Sequence, residues 1–116
     1  MNLKYMRTVF MVLGLAFTTS AIAHSSMVTS PQDGAMMENS PDSIMVQFDK
    51  ISKILKFSIE NSKGDEIEFT PPSGKGFTNM YEAVVNNLPS GMYMVNWSAI
   101  GKDGHPVKNN FSFTVK

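Results

Sequence analysis

The chain has 116 residues, no cysteine and only two histidines. The missing cysteine excludes disulfides, which small exported domains often use to offset a small core, and with them every thiolate ligand and thiol redox centre. The scarcity of histidine leaves a hydrolase little to work with, because serines are plentiful but no nucleophile–base pair is visible. An excess of one charge is lacking too. Ten basic residues face ten acidic ones without clustering, so nothing suggests a nucleic-acid surface or a charged tail. Glycine-rich phosphate loops, Ca²⁺ loops, internal repeats and sustained helical periodicity are likewise not found.

Hydrophobic runs of any length are also scarce. The one candidate, Val9 to Phe17, follows Lys4 and Arg7 and precedes Ala21-Ile22-Ala23. It is short for a membrane helix, which needs about 20 apolar residues. The arrangement is that of a secretory leader, and the closing triplet is the A-x-A pattern read by signal peptidase. Cleavage is expected after Ala23, with an uncleaved anchor as the alternative. Loss of the first 23 of 116 residues leaves 93, residues 24–116. That is enough for one small domain with no further membrane span. The remaining eight basic and ten acidic residues give a net charge near −2.

What is present in that domain is alternation. Met27 to Thr29, Ser43 to Phe48, Leu55 to Glu60, Glu66 to Phe69, Tyr81 to Val85, Met92 to Ile100 and Phe111 to Val115 read as short strands. Leu55–Glu60 and Glu66–Phe69 are expected to form a hairpin across the Asn61–Gly64 turn. Thr70 to Asn79, with Pro71-Pro72 and two glycines, is the longest loop. About seven strands with frequent turns predict an all-β fold, a small antiparallel Greek-key barrel or sandwich of cupredoxin or immunoglobulin type. Tyr93, Val95, Trp97 and Ala99 share one face, and Trp97, Tyr93, Phe111 and Phe113 are assigned to the core. The methionines, including Met92, Met94 and the Met36-Met37 pair placed in a loop, are read as adaptable packing rather than as a soft thioether cluster.

The two histidines fall in informative places. Cleavage after Ala23 gives His24 a free α-amine beside its own imidazole, and the two close a chelate ring without demanding any fold. A model α-amine titrates near 7.7–8.0 and an imidazole near 6.5, so both release protons to a metal near neutral pH. By itself, a histidine after a cleavage site is a weak metal signal and reads more readily as coincidence. His105 sits in Asp103-Gly104-His105-Pro106. Gly104 allows a sharp turn and Pro106 restricts His105 to an extended conformation, although an Asp-Gly turn is common in its own right. Together His24, Asp103 and His105 offer three nitrogens and an oxygen, the donor set that Cu(II) prefers in a tetragonal site.

On these residues the chain resembles the CopC/PcoC family of periplasmic copper-resistance proteins. The similarity rests on His24 after the Ala-x-Ala site, Ser30-Pro31-Gln32-Asp33-Gly34, the Ile44–Phe48 strand and Gly91-Met92-Tyr93-Met94-Val95-Asn96-Trp97. It continues through Asp103-Gly104-His105-Pro106-Val107 and Phe111-Ser112-Phe113-Thr114-Val115. The resemblance implies a cupredoxin-like Greek-key barrel and Cu(II) held by His24 (amine and imidazole), Asp103 and His105. It also implies a periplasmic, monomeric carrier or buffer serving copper resistance and homeostasis. Its recipient would be an inner-membrane copper transporter or another periplasmic copper protein. Two departures stand out. Some members carry a methionine-rich loop for Cu(I), whereas Thr70 to Met80 supplies only Met80. Asn109 stands where glycine is expected, and Asn tolerates a left-handed backbone.

Two other functions remain as alternatives. An N-terminal histidine plus a second histidine also describes the copper brace of oxidative polysaccharide monooxygenases, but 93 residues hardly accommodate their broad substrate surface. The anionic Asp103 also favours holding Cu(II) over cycling it. A metal-free adhesion or chaperone-like β-sandwich would give a flat copper titration. The expectation is a non-enzymatic copper-binding protein.

Overall fold

The computed structural model describes residues 27–116 and contains six strands and no helix among them. The strands are β1 (Val28–Ser30), β2 (Ala35–Met37), β3 (Ser43–Asn61), β4 (Thr78–Val84), β5 (Gly91–Gly101) and β6 (Pro106–Val115). Their order is β1-β3-β5-β6-β2, with β4 also paired to β3. The all-β fold is as expected from the alternation; of the seven expected strands two are fused into β3 and one, Glu66–Phe69, does not form, while β2 is added, which leaves six.

That fusion organises the molecule. The first half of β3, Ser43 to Gln47, lies between β1 and β4, while Ser52 to Asn61 pairs with β5. One strand therefore serves two layers, and it turns the corner where its register to β4 breaks, between Gln47 and Ser52. Strands that pass from one sheet to another do so at such irregularities. A second break falls between Ile54 and Lys56, where one step on β5 (Ala99 to Ser98) faces two on β3. Leu55 is the extra residue. Burial accordingly changes phase, from Ile44, Val46 and Phe48 to Phe57 and Ile59. Leu55, expected to share a face with Phe57 and Ile59, is instead 55% exposed.

The core fills the space between the layers. Ile44, Val46 and Phe48 meet Tyr93, Val95, Trp97 and Ala99 of β5 and Phe111, Phe113 and Val115 of β6. All four aromatics assigned to the core are buried. Trp97 packs edge-on to Phe48 at 5.7 Å between centroids, and Tyr93 stacks on Phe113 at 5.4 Å, both preferred aromatic geometries. The buried Tyr93 hydroxyl donates to the Pro89 carbonyl, so its polar atom is satisfied.

Three expectations are corrected. The Asn61–Gly64 turn forms, but Glu66 to Phe69 is not a strand. It makes only a bridge at Glu66 to Glu60, after which Thr70 pairs with Val84. The segment is crossing from one layer to the other, so no ladder can continue along it. Met36 and Met37 lie in β2 rather than in a loop, parallel to the end of β6. This pairing is anchored by Gly34 N–H donating to Ser112 O at 2.7 Å and Ser112 N–H donating to Asp33 Oδ1 at 3.0 Å. Asn109 sits within β6 and has no left-handed backbone. Asn87 is the one non-glycine with positive φ among the described residues.

Candidate metal centre

Strands β5 and β6 form a long antiparallel hairpin, registered from Gly91 opposite Val115 to Ile100 opposite Pro106. Its tip, Gly101 to His105, carries the Asp-Gly-His triplet. The turn closes with Gly104 N–H donating to Gly101 O at 3.0 Å. Gly104 has φ +85°, which a side chain would strain. Both chemistry-bearing residues are thus placed by backbone geometry at the end of the longest unbroken ladder among the described residues.

Within the tip the two side chains meet. Asp103 Oδ1 accepts the His105 backbone N–H at 3.0 Å, and Asp103 Oδ2 lies 3.1 Å from His105 Nδ1. The backbone hydrogen bond first, then the imidazole contact, holds the Asp103 carboxyl below the usual carboxylate range. The pair is open to solvent, with the His105 and Asp103 side chains 83% and 69% exposed. Its chemical capacity is clear: an ionised carboxylate that also orients an imidazole, with Nδ1 engaged and Nε2 left to bind elsewhere. One structural partner was not legible in the sequence. A Cβ on Gly101 would lie 3.1 Å from Asp103 Oδ1, so the carboxylate folds back over a position that has no side chain. The signal was present only as a glycine two residues before an aspartate.

The structure brings together Asp103 and His105 of the three residues expected at the site. His24 lies outside the described residues. The first described residue, Met27, lines a cavity of about 100 Å³ with Phe48, Trp97, Gly101 and Val107. The described chain thus begins beside the roots of the Asp103–His105 hairpin. Among the described residues no group of three or more His, Cys, Asp or Glu is gathered. No helix there is long and apolar enough to cross a membrane.

The packing expectation for methionine holds only in part. Met27 and Met37 pack against the core, whereas Met36, Met80, Met92 and Met94 are exposed. The sign was the alternation itself, because Trp97 and Tyr93 inward require Met92 and Met94 outward.

The class to which this two-layer β fold belongs is shown by comparison with known proteins. The CopC domain model matches residues 27–116, and the chain belongs to that family. It is 28% identical over 116 residues to copper resistance protein C of Escherichia coli, covering 91% of this chain and 90% of the relative. It is 29% identical over 120 residues to copper resistance protein C of Xanthomonas campestris pv. juglandis, covering 94% and 93%. The fold is shared with the crystal structure of CopC from Methylosinus trichosporium OB3b. That similarity has a TM-score of 0.66 at 23% identity, covering 80% of this chain and 94% of the other.

Proposed function

We propose that the chain is exported to the periplasm, is cleaved after Ala23, and carries or buffers one Cu(II) for copper resistance and homeostasis without catalysing a reaction. The ligands in this reading are the His24 amine and imidazole, His105, and Asp103. The observation that carries it is the Asp103–His105 pair at 3.1 Å on a hairpin tip, in a chain whose family relatives are named for copper resistance.

Chain reach supports the contribution of His24. Two residues, Ser25 and Ser26, separate it from Met27, a reach of three residue steps or at most about 10 Å when extended, and Met27 already shares a cavity with Gly101 and Val107. Copper is cargo here rather than a resident cofactor. The hairpin supplies a pre-oriented imidazole and an anion, the N-terminus closes the chelate, and solvent exposure of the pair leaves the ion accessible to a recipient. A periplasmic copper protein or a membrane copper transporter fits that role.

The test is Cu(II) titration followed by electron paramagnetic resonance on the exported protein, whose mass establishes the cleavage point. One equivalent with a mixed nitrogen/oxygen tetragonal signature is expected. His105→Ala should weaken binding at least about 10–100-fold, the loss that even outer-shell changes bring to metal sites. A variant that titrates like the parent would remove His105 from the site.

A further inference from the structure

The bulge at Leu55 shapes the outer surface as well as the core. A bulge re-aims a side chain, and here the extra residue is turned away from the face that Phe57 and Ile59 share. Leu55 instead lines an open groove of about 630 Å³ between β3 and β4, a size within the range of ligand clefts, about 300–1,000 Å³. Two other lining residues, Phe57 and Tyr81, pack ring on ring at 4.8 Å between centroids. The loop from Pro71 to Phe77 borders the same space. Leu55, Phe77 and Met80 stay exposed within it, so the groove keeps an apolar surface that the fold does not cover.

Charge around the groove has one sign. Lys53, Lys56 and Lys75 line it, and no Asp or Glu does. Among the described residues none of these three ammonium groups is in an ion pair. Lys102 adds a fourth charge, its Nζ 5.6 Å from the centre of the Phe77 ring, within cation–π range. The rest of the domain is different. Residues 24–116 carry a net charge near −2, and at the far end of the β3–β5 ladder Glu60 is bridged to Glu66. The lysines are gathered on one side of an acidic domain, not scattered over a neutral one.

The groove also adjoins the hairpin tip. Lys53 pairs with Ile100 and Ser52 with Gly101, where the turn begins, and Lys102 directly precedes Asp103. Positive charges beside a cation site repel the ion, so they do not serve to gather it; they attract an anionic partner. A small free anion would engage the lysines and leave Leu55, Phe77 and Met80 uncovered, and a flat bilayer does not fill a recess. We infer that this groove docks an acidic segment of another protein, its carboxylates on the four lysines and an apolar side chain against Leu55, Phe77 and Met80. The groove exists without copper. Its use, bringing a recipient's acidic segment up to the hairpin tip, rests on the copper-carrying reading proposed above.

The experiment is titration of the exported, metal-free protein with a short labelled peptide in which aspartate and leucine alternate, followed by fluorescence anisotropy and backbone amide resonances. Control peptides replace aspartate by lysine, or leucine by serine. The acidic–apolar peptide is expected to shift the amides of Lys53 to Phe57 and Gly74 to Met80, and to bind less tightly as salt rises. Lys53→Gln, Lys56→Gln and Lys75→Gln should each weaken it about 2–5-fold, as loss of an exposed charge pair does, and the triple variant at least about 10-fold. Leu55→Ser should weaken it at low and high salt alike. All four positions are exposed, so folding should survive, with the dichroism spectrum as check. His105→Ala should leave peptide binding unchanged, which separates a failure of the groove from a failure of the copper site. Absence of shifts at the groove, or equal binding of the lysine peptide, would overturn the inference. So would two outcomes lost in the triple variant: adsorption to phosphatidylglycerol vesicles without peptide binding, which would make the lysines a membrane surface, or self-association in sedimentation, which would make the occupant a second copy.

Discussion

At Asp103 one carboxylate has two tasks, and they can be separated. Its oxygens hold the His105 backbone N–H and Nδ1, and its charge is available to a cation. Because its folded-state pKa is depressed below the usual 3.8, the stability it contributes is present above that value and is lost as pH falls through the lower, folded value. Carbon-detected NMR of the metal-free protein should therefore place the Asp103 midpoint below 3.8. Asp103→Asn should remove that low-pH transition and also weaken Cu(II). Gly101 provides a more selective probe, since it donates nothing to a metal. A Cβ there meets Asp103 Oδ1 at 3.1 Å, so Gly101→Ala should displace the carboxylate and reduce Cu(II) affinity while the thermal midpoint stays within a few degrees. A Gly101→Ala protein with parental affinity would show that Asp103 is free to move without consequence. The residues of this pair were legible from sequence because Asp-Gly-His-Pro constrains its own backbone. The close approach over Gly101 was not, because it depends on how the turn curls.

Strand elements differ in how openly they are written. β5 and the second half of β6, Phe111 to Val115, alternate without interruption and their inward faces are readable residue by residue, whereas Pro106 to Asn110 are all exposed and give no period to read. β3 reads as two strands in the sequence, because nothing in Asp49 to Ile54 marks continuity around a corner. Its bulge escaped notice for a related reason: Leu55 fits the same alternation as Phe57 and Ile59, and only the register to β5 reveals the extra residue. β2 carries no sequence signal, since three residues in a parallel edge pairing leave no period to detect. The bulge makes a direct prediction about stability. Ile59 is fully buried, so Ile59→Ala should cost about 2–5 kcal/mol. Leu55→Ala, on the exposed bulge, should stay within about 0.5 kcal/mol. Denaturant unfolding of the two variants decides it, and equal losses would mean that Leu55 packs in register with Ile59.

Across the whole molecule, a two-layer core built without disulfides holds a hairpin whose tip carries chemistry and whose base anchors the sheet. The tip stands beside the place where the described chain starts, so the fold brings Met27 and the Asp103–His105 hairpin to the same end. This proximity makes the central claim sensitive to a single peptide bond. A chain that begins at His24 has an amine and an imidazole to chelate with. One extra residue ahead of His24 turns that amine into an amide, which is a poor neutral donor, and the chelate ring is lost while every folded contact is kept. Ser26 stands third in the cleaved chain, so an alternative motif with histidine in third place cannot compensate. The most direct measurement is the Cu(II) affinity, by competition titration at neutral pH, of the protein starting at His24 against the same protein carrying one additional N-terminal glycine. The account predicts that the extended form binds at least about 100-fold more weakly, the loss of about 2.7 kcal/mol or more. Equal affinities would contradict it and remove His24 from the copper site.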